Sequence, residues 1–158
     1  MGSGKTNLGK RLANKLNISF FDLDAEIEKL SNKTISTLFN EDGEANFRKL
    51  EQNVLNDFIA NKENFVLSLG GGTPCYENNM EQINSVGTSI YLKYNVGILA
   101  SRLINAKTER PLIKGLNEKE LVSFIEIKLK EREKYYGQSK YIIEGNNLKV
   151  DHLSILFQ

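Results

Sequence analysis

With one cysteine, Cys75, the chain cannot form an internal disulfide, which fits a reducing cytoplasm. Its one histidine, His152, stands in the closing segment far from every motif and has no cluster of partners, so it reads as an exposed or half-packed residue. Basic and acidic side chains nearly cancel, 21 against 20, and a formal net charge of +1 offers no field that favours nucleic acid. No apolar run approaches the roughly 18–20 residues a membrane span requires, and no signal-peptide core is present. Repeats, low-complexity tracts and a domain linker are also lacking. What remains is a single domain, expected to be a cytoplasmic monomer that binds small molecules rather than nucleic acid or a membrane.

The most informative stretch comes first. Met1-Gly2-Ser3-Gly4-Lys5-Thr6 reads as the back half of G-x-x-x-x-G-K-[ST], with Gly4, Lys5 and Thr6 in its last three places. That loop turns backbone N–H groups toward phosphates, aims a lysine at the β- and γ-phosphates and places a hydroxyl on Mg²⁺. The helix behind it adds its positive end to the same anion site. Met1-Gly2 with Thr6 also fits an N-myristoylation pattern, but the loop reading accounts for every residue and the lipid reading for few of them.

Periodicity then places the elements. Leu8, Leu12 and Leu16 recur every fourth residue and predict a helix from Lys5. Ile18 to Phe21 predicts a short strand ending at Asp22-Leu23-Asp24, followed by a helix through Ile27 and Leu30. A short helix over Thr34 to Asn40 is separated by Asp42-Gly43 from a long one carrying Phe47, Leu50, Val54, Leu55, Phe58 and Ile59. Phe65 to Leu69 is almost wholly apolar, as for a strand covered on both faces. It runs into Gly70-Gly71-Gly72, a helix around Tyr76 to Ser85 and a strand over Thr88 to Leu92. A polar stretch from Asn105 to Asn117, containing Arg110-Pro111, interrupts two helical segments and reads as a lid. Glu118 to Tyr136 predicts a helix, Tyr141 to Ile143 a last strand, and Asp151 to Phe157 a closing helix capped by Asp151. Strands alternating with helices call for a parallel sheet in an α/β sandwich.

Asp22 and Asp24, with one residue between them at the end of a strand, can serve a hydrated Mg²⁺ and a substrate hydroxyl separately. Three successive glycines are costly in chain entropy, so Gly70, Gly71 and Gly72 predict a ligand lying against the backbone. Arg48 follows Phe47 near the edge of a core-facing helix stripe. Arg132, among Lys130, Glu131, Glu133 and Lys134, reads on pattern alone as part of a solvated charge run. Cys75 has no basic partner evident nearby and reads as packing.

Gly-Ser-Gly-Lys-Thr, Asp22-Leu-Asp24, Phe47-Arg48 with Glu51, Leu69-Gly70-Gly71-Gly72 and Arg110-Pro111-Leu112, in that order and spacing, resemble the shikimate kinase family over essentially the whole chain. The resemblance implies a P-loop nucleotide-binding fold like that of nucleoside monophosphate kinases: a single domain over 1–158 with a substrate-binding segment at about 24–52 and a lid at about 105–117. It implies ATP as co-substrate, Mg²⁺ and shikimate, with the γ-phosphate passing to the shikimate 3-hydroxyl. Gly2, Ser3, Gly4, Lys5, Thr6 and Asn7 would line the nucleotide phosphates, Thr6 would ligate Mg²⁺, and Asp22 would reach it through water. Asp24 would bind and deprotonate the substrate hydroxyl. Arg48, oriented by Glu51, and Arg132 would grip the substrate carboxylate, which replaces the surface reading of Arg132. Gly70, Gly71 and Gly72 would meet the ring hydroxyls, Phe39 and Phe47 would wall the pocket, Arg102 would lie along adenine, and Arg110 would reach the transferring phosphate. The family's loop is fed by a central strand, so the reading frame is expected to begin upstream of Met1. Where the family often has a proline after its last strand, this chain has Glu144-Gly145-Asn146-Asn147. The rival readings are another small-metabolite kinase of the same loop family, such as a gluconate kinase, and a non-catalytic nucleotide-binding module.

Overall fold

Leucines at a helical period and apolar residues in short runs produce seven α-helices and four strands among the described residues of a computed structural model, which are 2–106, 113, 115–145 and 147–157. In chain order these are α1 (Lys5–Leu16), β1 (Ser19–Asp22), α2 (Leu23–Ser31), α3 (Ile35–Asn61), β2 (Phe65–Ser68), α4 (Asn79–Val86), β3 (Ile90–Lys93), α5 (Val96–Ile104), α6 (Glu118–Tyr136), β4 (Tyr141–Glu144) and α7 (Val150–Ser154). They form two compact units, Lys5–Gly87 with Lys149–Gln158, and Met1–Gly4 with Thr88–Leu148.

In the first unit β1 and β2 pair in parallel, with Asp22 opposite Ser68 at their C-terminal ends. Leu23, Ile27, Leu38, Phe47, Val54, Leu55 and Phe58 form the core against them. Phe21 meets Phe58 edge-on with ring centres 5.1 Å apart, a favoured aromatic geometry. Thr34 caps α3 by accepting from the Thr37 amide at 3.1 Å. The Asp42-Gly43 punctuation appears as a kink: Gly43 has φ 77 and ψ 164 inside α3, a conformation that suits glycine, and hydrogen bonding resumes beyond it.

In the second unit β3 and β4 pair in parallel from Ile90↔Tyr141 to Lys93↔Glu144. Tyr94, Leu99, Ala100, Leu103, Leu121 and Ile125 form its core. The Asn95 side chain caps α5, and Asn117 with Glu120 forms a reciprocal capping box on α6 at 3.0 and 2.9 Å.

Several boundaries differ from expectation. The four strands form two separate two-stranded parallel sheets. Asp24 lies in the first turn of α2 rather than at a strand end, because the chain enters helical geometry directly after Asp22. A 3₁₀ turn over Thr73–Cys75 precedes α4, so that helix starts later than the apolar pattern indicated. Lys149, not Asp151, caps α7. Asp151 instead accepts a hydrogen bond from Lys15 of α1. His152 is exposed, its Nδ1 accepting from the Lys149 amide at 3.2 Å.

Candidate active site

Gly2 and Gly4 both take positive φ, 69 and 76, as the chain curls into the start of α1. A side chain at Gly2 would also collide with the Leu103 Cγ at 3.1 Å and the Leu99 carbonyl at 3.2 Å. Glycine is therefore required there twice over. Lys5 opens the helix, where the first amides lack helical partners and favour an anion. Asn7 is exposed one turn in.

Behind Lys5, the Thr6 hydroxyl donates to the Asp22 carboxylate at 2.8 Å and lies 3.4 Å from the Ser68 hydroxyl. The register of β1 and β2 holds Asp22 and Ser68 side by side. Hydroxyls and a carboxylate are hard oxygen donors, the kind a magnesium ion accepts while retaining several waters. Ser68 was missed from sequence, although a single polar residue in an apolar strand was a visible signal. Among the described residues no group of three or more His, Cys, Asp or Glu side chains could hold a metal by itself.

Asp24 is half-buried, and burial pushes its carboxyl above the usual 3.8, with the Asp22, Glu51 and Glu28 charges acting in the same direction and Lys5 opposing them. The Asp24 Oδ1 lies against Gly70, where an added Cβ would come within 3.0 Å of it and of Glu51 Oε1 and Thr73 Oγ1.

The arrangement around Arg48 is tighter still. Its Nη1 donates to Glu51 Oε2 at 2.6 Å, one helical turn on, and Glu51 is only 1% exposed. The guanidinium carbon stands 5.2 Å from the centre of the Phe47 ring and 5.8 Å from that of Phe39, the two rings themselves lying 4.4 Å apart. Glu44, well exposed, adds a longer contact at 3.4 Å. The guanidinium passes directly over Gly72, where a Cβ would fall 2.3 Å from Nη2 and 2.6 Å from Cζ. Room at Gly70 and Gly72 is thus taken by the protein's own side chains, a reason the glycine run did not reveal. The Gly71 carbonyl faces the Cys75 thiol at 4.0 Å.

The other unit holds Ser3, Arg102 and Arg132. Arg102 stacks on Tyr94, with its guanidinium carbon 4.2 Å from the ring centre, and donates to the Ser3 carbonyl at 3.2 Å. Arg132 is half-buried on α6. Arg110 and most of the expected lid at 105–117 lie outside the described residues, as does Asn146.

Comparison with known proteins follows the same lines. The family model described as shikimate kinase matches residues 1–155. The shikimate kinase of Bacteroides thetaiotaomicron is 45% identical over 149 residues, covering 94% of this chain and 85% of that protein. That of Flavobacterium psychrophilum is 46% identical over 144 residues, covering 90% and 84%. Among solved structures, the crystal structure of the B. thetaiotaomicron shikimate kinase superimposes with a TM-score of 0.95 at 42% identity, covering 99% of this chain and 93% of that one. The Acinetobacter baumannii shikimate kinase in complex with shikimate gives 0.85 at 33% identity, covering 99% and 86%.

Proposed function

The chain belongs to the shikimate kinase family, and from that premise we propose how its residues divide the work. It is an ATP-dependent kinase of the P-loop fold that moves the γ-phosphoryl group to the 3-hydroxyl of shikimate. Phosphoryl transfer asks little covalent chemistry of a protein, so positioning and charge neutralisation carry the rate.

Gly2, Ser3, Gly4, Lys5, Thr6 and Asn7 hold the nucleotide phosphates through loop amides, the helix start and the lysine charge. Thr6 and, through water, Asp22 would hold Mg²⁺, which would offset the negative charge of the phosphates. The 2.8 Å pairing of Thr6 with Asp22 supports this assignment, because it keeps two hard oxygens together. Asp24 receives the shikimate hydroxyl and accepts its proton; the raised affinity of its carboxyl for a proton suits that task. Arg48 grips the shikimate carboxylate in a planar, two-pronged contact over Phe39 and Phe47, and the amides of Gly70, Gly71 and Gly72 meet ring hydroxyls. Family resemblance assigns Arg132 to the substrate carboxylate, Arg102 to adenine and Arg110 to the transferring phosphate. The enzyme works as a cytoplasmic monomer on small molecules, apart from nucleic acid and membranes. A net charge of +1 offers no field that favours nucleic acid, and no described helix is long and apolar enough to cross a membrane.

The observation that carries the substrate assignment is the Arg48 guanidinium, held by a buried Glu51 beside the Asp24 carboxylate. Initial rates of ADP release with ATP and Mg²⁺ test it when shikimate, gluconate or no acceptor is supplied. Shikimate-dependent release far above both controls is expected; equal rates with gluconate would overturn the substrate assignment.

A further inference from the structure

Beyond Arg48 and Glu51, the hydrogen-bonding chain continues into residues with no assigned role. Glu51 spends its second oxygen on the Thr73 hydroxyl, which donates to Oε1 at 2.6 Å while Arg48 occupies Oε2 at 2.6 Å. Thr73 and Asn79 are both 0% exposed. Thr73 cannot drift, because the Asn79 side-chain amide donates to its carbonyl at 2.9 Å and its own amide donates to the Gly70 carbonyl at 3.2 Å. Asn79 is in turn tied to α3 by Gln52, which donates to its Oδ1 at 3.2 Å. The 3₁₀ turn bearing Thr73 is therefore clamped to the helix that bears Arg48 and Glu51.

A buried carboxylate with a single donor can rotate about its last torsion and carry its partner with it. One held at both oxygens cannot. We propose that Thr73 is a positioning residue for shikimate binding, which fixes Glu51 so that Arg48 presents its guanidinium to the substrate carboxylate in one orientation. The proposal rests on the assignment of Arg48 to that carboxylate. It also explains why a hydroxyl is buried one residue past the glycines: the same Thr73 oxygen would contact a Cβ at Gly70 at 3.0 Å, so hydroxyl, carboxylate and glycine occupy one packed layer.

The test compares Thr73→Val, Thr73→Ala and Thr73→Ser with Arg48→Lys in the full chain, reading kcat and KM for shikimate and for ATP beside a thermal melt. Thr73→Val keeps the shape and removes the donor, and should raise the shikimate KM about tenfold, as for a lost hydrogen bond to a charged group. Its kcat and ATP KM should stay within about twofold, and Thr73→Ser should return the shikimate KM to near the starting value. If Thr73→Val does not fold, Thr73→Ala against Thr73→Ser decides on the same readouts. In the Arg48→Lys background, loss of the Thr73 hydroxyl should add little, because the group it aims is already gone. A normal shikimate KM in Thr73→Val or Thr73→Ala, a serine variant as impaired as valine, or full additivity with Arg48→Lys would each overturn the proposal. A normal shikimate KM in Arg48→Lys would instead overturn the assignment beneath it.

Discussion

Replacing Gly72 with alanine isolates one steric fact. Gly72 has φ −93 and ψ −19, a conformation open to any L-residue, so the substitution strains no backbone. Its new methyl would stand 2.3 Å from Arg48 Nη2, and the guanidinium has to leave. Leaving breaks the 2.6 Å contact with Glu51, a hydrogen bond between charged groups of a kind that contributes about 1.5–3 kcal/mol. Reduced freedom of the unfolded chain returns about 0.4–1 kcal/mol. Net destabilisation should therefore be roughly 0.5–2.5 kcal/mol, visible as a modest drop in melting temperature. The larger signal lies in binding. A shikimate carboxylate deprived of the same oriented guanidinium loses a contact of the same class, so the shikimate KM should rise roughly tenfold to a hundredfold. ATP KM should not change. Gly87→Ala, where a Cβ meets the Ile83 carbonyl at an ordinary 3.6 Å, serves as the control. A Gly72→Ala enzyme with the normal shikimate KM would refute the reasoning, because Arg48 would then have another equally good place to stand.

Asp24→Asn should cut turnover by about 10²-fold or more, the scale of lost acid–base help. The same change should raise the melting temperature at neutral pH: a carboxyl whose folded pKa is raised costs nothing below its ordinary 3.8, and its cost grows as pH rises from there and is complete above the raised value. Melts of both proteins at acid and neutral pH check the sign, since their difference should vanish below that ordinary value. Thr6→Val should raise the Mg²⁺ concentration needed for half-maximal rate, measured by titrating the metal at saturating ATP. Lys15 holds the Asp151 carboxyl below its ordinary 3.8, so the stability it contributes is present above that value and fades as pH falls through the lowered one. Asp151→Asn should remove this acid-side dependence, and because both side chains are well exposed, added salt should shrink the effect.

Helix α1 was legible because its leucines repeat every fourth residue and its glycines lead into it, and Leu8, Leu12 and Ala13 are indeed buried. The kink in α3 was legible from Gly43, since few other residues accept φ 77. Boundaries decided by tertiary contacts were not. Lys149 caps α7 while Asp151 turns to Lys15 of α1, a partner 136 residues away that no local pattern reveals. Asp22 and Asp24 were legible as a pair but not their division between a strand end and a helix start. The glycine run led to the expectation of a ligand against the backbone, whereas the group that lies over Gly72 in the fold is Arg48 from α3. Thr73 and Asn79 gave no sign at all: buried polar residues acquire meaning only through the partners that folding brings to them.

Identification of the product tests the central claim most directly. The purified protein, incubated with ATP, Mg²⁺ and shikimate, should yield ADP and one new phosphomonoester in equal amounts. Phosphorus–proton correlation should place that phosphate on the oxygen at C3 of the ring. A folded, nucleotide-binding protein that forms no such ester, or places it on another hydroxyl, would contradict the account.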